Sequence, residues 1–169
     1  MKFLIVVLLA ILANEAAAVE DLDLKWESLR AHNIYRRRHG VRRMKWDINA
    51  ASFAQSWCDK LKNEGKFEHS KGSGFGENLF WASGDSSSVD AGKSAVKSWY
   101  DEIKDYDYKN PGFAGKTGHF TQVMEYIFVI ETRTINRHFM SDVVLLHRKT
   151  NYKISDKTTF SLGGVEELD

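Results

Sequence analysis

Cysteine and proline are almost missing from this chain of 169 residues: Cys58 and Pro111 are the sole examples of each. A single cysteine excludes any intramolecular disulfide. Charge of one sign is also in short supply, with 24 Lys and Arg against 23 Asp and Glu, a formal net charge of +1. That balance removes the electrostatic reason to expect nucleic acid or an acidic membrane as partner. No Asn-x-Ser/Thr sequon occurs, so N-glycosylation is not expected. The chain has no His-Glu-x-x-His motif and, beyond its N-terminus, no apolar run that approaches membrane-spanning length.

What is present begins with a signal. Lys2 precedes the apolar run from Phe3 to Ala13, which is too short for a spanning helix. Ala16-Ala17-Ala18 then satisfies the small-residue rule of signal peptidase. We expect residues 1–18 to be cleaved, leaving about 150 residues, one domain's worth, in the secretory lumen or outside the cell.

Apolar periodicity predicts a first helix over Asp23–Arg38, with Leu24, Trp26, Leu29, Ile34 and Tyr35 on its apolar face and Gly40 stopping it. Asp47 is read as the cap of a second helix that reaches Asn63 and ends at Gly65. Cys58 falls late in that helix at an apolar position, which reads as a buried structural thiol. Ser70–Gly76 is a loop, Asn78–Trp81 a short apolar run, and Gly84–Ser88 a loop again. Asp90 is expected to cap a third helix through Lys104, and Asp105–Gly118 to form a long ordered loop. From His119 the pattern reads as strand: His119–Val123, then Tyr126–Ile130, a turn at Asn136-Arg137, and Val143–Leu146. Helices first and strands later imply an α+β class or a layered α-β-α arrangement.

Four residues stand out chemically. His69 precedes the glycine-bearing loop, His119 opens the predicted strand, Glu77 lies in Gly76-Glu77-Asn78, and Glu102 follows Trp99 on the third helix. Two imidazoles and two carboxylates from separate elements could hold a divalent metal or share protons. The competing reading is surface histidines and solvated glutamates, since spacing alone does not prove convergence.

Six segments in order resemble the CAP superfamily of cysteine-rich secretory proteins, antigen-5-type venom allergens and pathogenesis-related proteins. They are Ala31–Val41 with Met44–Asp47, Ala54–Trp57, Phe67–Ser70, Gly76–Leu79, Ala95–Glu102 and Gly118–Val123. The type is the single-domain, disulfide-free one. The resemblance implies an α-β-α sandwich and a central cavity lined by His69, Glu77, Glu102 and His119, with His69 and His119 as ligands where zinc or another divalent ion is bound. It implies a structural hydrogen-bonding role for Asn33. It also implies a secreted, non-enzymatic binder of lipid, sterol or a partner protein, in a defence, venom-allergen-like or extracellular signalling role. A metal-dependent hydrolase using the tetrad is the alternative.

Two departures from the family pattern matter. Arg42-Arg43 replace the usual prolines and, with Arg36, Arg37 and Arg38, are read as a solvated basic patch that anionic headgroups would also fit. After Val123 the pattern stops, dividing the mature chain into a core at 19–123 and a divergent tail at 124–169. Met124-Glu125 must be encoded ATG-GAR, which contains TGG, tryptophan, one base out of frame. The tail is therefore read as a frameshift, an alternative exon or real divergence. Unless its strands replace the family's, the sheet is expected to expose an unpaired edge and the domain to be less stable.

Overall fold

A computed structural model describes residues 25–82, 88–125, 130–134 and 141–148. The signal segment, the loop at 84–87, the segment 126–129, the turn at Asn136-Arg137 and the end of the chain from 149 lie outside the described residues.

Helix α1 covers residues 25–38 and stops at Gly40, whose φ of 64° is the left-handed conformation that glycine adopts without strain. Its inward face is the apolar one expected only in part, through Leu29 and Tyr35, which pack against the core. Ser28, His32 and Arg36, spaced four apart, are buried, whereas Trp26 is 56% and Ile34 39% exposed. The two larger members of this polar stripe can be buried because they are hydrogen-bonded: His32 Nδ1 lies 2.9 Å from the Ser28 carbonyl, and Arg36 donates to three main-chain oxygens. Arg36 thus leaves the basic patch, while Arg37, Arg38, Arg42 and Arg43 stay exposed.

Helix α2 (Ile48–Glu64) is bounded as its sequence predicts. Asp47 accepts from the N–H groups of Asn49 and Ala50, and Gly65 closes the other end at φ 62°. Its buried face is Ala50, Ala51, Ala54, Cys58 and Leu61, which places Cys58 in the core. Strand β1 (Phe75–Ala82) contains the predicted apolar run. Helix α3 (Ser88–Asp101) begins two residues earlier than Asp90, so Asp90 lies in the first turn rather than at the cap. The predicted last turn of α3 tightens into a 3₁₀ helix, Glu102–Asp105.

The principal correction falls on His119. Gly118–Met124 is a helix, α4, preceded by a 3₁₀ turn at Gly115–Thr117. Phe-Thr-Gln-Val has the composition of a strand, but the buried residues Phe120, Val123 and Met124 recur at helical spacing.

Strands β2 (Ile130–Thr134) and β3 (Ser141–Arg148) complete an antiparallel sheet in the order β1-β3-β2. β3 pairs with β1 over its whole length, from Phe75 opposite Arg148 to Ala82 opposite Ser141. It contains the predicted Val143–Leu146, and the later strands do supply β1 with a neighbour. Of the first strand expected in the tail, residues 126–129 lie outside the described residues and Ile130 opens β2.

Leu79 packs with Ala50, Ala51, Ala54 and Cys58 of α2, while Phe80 packs with Trp99 of α3 and Phe120 of α4. Adjacent β1 residues therefore face opposite helical layers, as the two-residue strand repeat requires. α2 also packs against β2 and β3. Leu29, Ala31 and Tyr35 bring α1 into the α3/α4 layer. The result is the α-β-α sandwich expected.

Candidate functional site: two histidine–glutamate pairs

α4 is seven residues long and has no side-chain cap of its own at Thr117. The carboxylate of Glu102 takes that role. Its Oε2 accepts from the N–H groups of His119 (2.9 Å) and Phe120 (3.1 Å), two donors that the start of a helix leaves without internal partners. Its Oε1 lies 2.7 Å from His119 Nδ1. At the other end, Arg36 Nη1 donates to the carbonyls of Val123 (2.7 Å) and Glu125 (2.5 Å), and Arg36 Nε to Arg42 (2.8 Å). An anion at the N-terminus and a cation at the C-terminus both complement the helix dipole.

The second pair has the same plan. Glu77 on β1 accepts from the Ser70 N–H (2.8 Å) and the Ser70 hydroxyl through its two oxygens, and Oε2 lies 3.2 Å from His69 Nδ1. The Glu77 side chain is 4% exposed and that of His69 61%. His119 and Glu102 are intermediate at 39% and 24%. In each pair the glutamate fixes the loop or helix that carries the histidine and, through Nδ1, the orientation of its ring.

The four residues are thus brought together as 69–77 and 102–119. Glu77 has the strand parity of Leu79, toward α2, whereas Asn78 has that of Phe80 and donates to the His119 carbonyl at 3.0 Å. β1 is an edge of the sheet among the described residues. Among the described residues no three or more His, Cys, Asp or Glu side chains gather as a metal centre would require. The donor set fits a metal in one respect: with each Nδ1 held by a carboxylate, Nε2 is the ring nitrogen that points to a ligand. The carboxylates themselves are already occupied.

Several supporting residues escaped the sequence reading. A Cβ on Gly76 would collide with the Gln122 carboxamide, so the absent side chain lets α4 seat against β1. Trp99 Nε1 donates to the Leu79 carbonyl at 3.3 Å, and its ring lies nearly parallel to His119, 18° between planes and 6.4 Å between centroids. Ser70 is the one member whose proximity in sequence to His69 was a usable signal. Asn33 clasps the main chain of Met44, accepting its N–H at 2.6 Å and donating to its carbonyl at 3.2 Å. Beside Phe120, His39 pairs with the Tyr100 hydroxyl at 2.9 Å. Burial, and after it the neighbouring Arg38 charge, push the His39 pKa below its ordinary 6.5.

The Cysteine-rich secretory protein family model, CAP, matches residues 29–126. Golgi-associated plant pathogenesis-related protein 1 of Homo sapiens is 42% identical over 101 residues, which cover 58% of this chain and 63% of that protein. Pathogenesis-related protein 1 of Arabidopsis thaliana is 40% identical over 102 residues, covering 60% of each. The match therefore spans about three fifths of the length of these relatives. Among solved structures, NaASP2 with Zn2+ superposes with a TM-score of 0.60 at 20% identity, over 72% of this chain and 77% of that one, a likeness of fold.

Proposed function

The chain belongs to the cysteine-rich secretory protein family, CAP, and from that premise we propose that it is a secreted, non-enzymatic binding module. Its ligand class is a lipid, a sterol or a partner protein, and its setting is extracellular, in a defence or signalling role. In this reading the tetrad His69, Glu77, Glu102 and His119 orders the segments around the cavity and does not itself grip the ligand.

One observation carries this reading. Each carboxylate of the tetrad meets three donors, all of them on the segment that bears its histidine. A carboxylate so engaged positions its neighbours and has no free oxygen aimed at a substrate. A divalent cation such as zinc, when bound, would act as a Lewis acid held by the Nε2 atoms of His69 and His119. Glu77 and Glu102 would then orient the imidazoles from behind.

The test uses the purified protein, radiolabelled cholesterol and palmitate as probes, and bulk metal analysis. Retention of bound lipid in His69→Ala and His119→Ala, with no hydrolysis of peptide or ester substrates, is the expected result. Hydrolysis that accompanies stoichiometric zinc and disappears in both variants would favour the hydrolase instead.

A further inference from the structure

The apolar residues on the outward side of α1 need an explanation. The helix buries Ser28, His32 and Arg36, packs Leu29 and Tyr35 against the core, and still leaves the large apolar side chains of Trp26 and Ile34 exposed. The exposed side is not flat. Trp26, Leu29 and Ile34 meet Val41 across a groove of about 700 Å³. Arg30, Arg37 and Arg43 also line this groove, and none of the described residues lining it is acidic. Arg30 makes one long contact, 3.5 Å, to Glu27 on its own helix.

We propose that this groove docks an acidic peptide segment bearing apolar residues, supplied by a partner protein. Three guanidiniums facing an apolar floor complement carboxylates that flank apolar anchors, and guanidinium geometry favours paired hydrogen bonds to a carboxylate. Arg30 and Arg37 are seven residues apart, about 10 Å along the helix, which matches carboxylates about three residues apart on an extended peptide. Concavity favours a peptide over a bilayer, because Trp26 and Ile34 line a channel where membrane insertion would need them on a protruding tip. The groove shares no residue with the His–Glu pairs, so the proposal stands whether or not those bind a lipid or a metal. It rests on the partner-protein part of the proposed function only in the class of ligand.

The probe is a fluorescein-labelled synthetic peptide repeating Leu-Glu-Glu-Leu, with a Leu-Gln-Gln-Leu twin, titrated against the full chain by fluorescence polarisation. Saturable binding of the acidic peptide, absent for the twin and weakened about tenfold by R37Q/R43Q and by W26A, is expected. All three side chains are exposed, and unchanged circular dichroism verifies that the variants fold. Equal binding of the neutral twin, or binding insensitive to all these substitutions, overturns the proposal. So does failure to bind peptide while phosphatidylglycerol vesicles sediment with the protein in a Trp26- and Arg37-dependent way, since the surface would then be a membrane face.

Discussion

Helix α2 carries its own ends, whereas helix α4 borrows both of its ends from elsewhere in the chain. Asp47 and Gly65 flank α2 in sequence and close it with local hydrogen bonds. α4 is held at its start by Glu102, from the 3₁₀ turn after α3, and at its finish by Arg36, from α1. A helix of seven residues is too short to persist on its own hydrogen bonds. The contrast teaches that α4 is a product of tertiary structure, and that the helix presenting His119 is placed by hydrogen bonds from charged side chains of two other elements.

Breaking the C-terminal contact should have the largest effect. Arg36→Met keeps the bulk but removes the donors to the carbonyls of Val123, Glu125 and Arg42. With each orphaned acceptor costing about 1–3 kcal/mol, urea unfolding should show a loss of about 3–5 kcal/mol. A loss comparable to that of an ordinary cap would remove the distinction between the two helices.

Glu102→Gln comes next. It leaves one neutral acceptor where a carboxylate served two N–H groups and an imidazole, and about 1–2 kcal/mol should be lost. The same variant should broaden or shift the His119 imidazole NMR signals, which a change in α2 would not do. Asp47→Ala supplies the local counterpart, with an expected cost of about 1 kcal/mol and no effect on His119.

The smallest effect sharpens the comparison through pH. His39, packed beside Phe120, has its pKa below the ordinary 6.5 because it is half-buried and next to Arg38. Above that value His39 is neutral in both folded and unfolded chains. As the pH falls below it, the unfolded chain takes up the proton first, so the melting temperature should drop until the lower folded pKa is passed. His39→Gln should flatten that part of the profile. An unchanged slope would show that other groups govern it.

The legible parts of the fold were those with local causes. The ends of α2, the stop at Gly40, the burial of Cys58 and the strand around Val143–Leu146 all follow from neighbours in the chain. The end of α1 is legible at Gly40, and Leu29 and Tyr35 pack inward as its apolar spacing implies, but that spacing does not reveal that Arg36 finds main-chain acceptors 87 and 89 residues away. His119 was read as opening a strand for a similar reason: Phe-Thr-Gln-Val favours extended structure until Glu102 and Arg36 supply what a helix needs.

By itself, then, the sequence determined the family, the α-β-α class, the helices that cap themselves and the identity of the four conspicuous His and Glu residues. Only the tertiary structure decided that these form two pairs, that His119 stands on a helix, and that the outward side of α1 is a cationic, apolar groove. The physical reason is range. Capping and periodicity act over a few residues and can be read along the chain. The charged contacts that shape α4 and free the face of α1 join residues that only folding brings together.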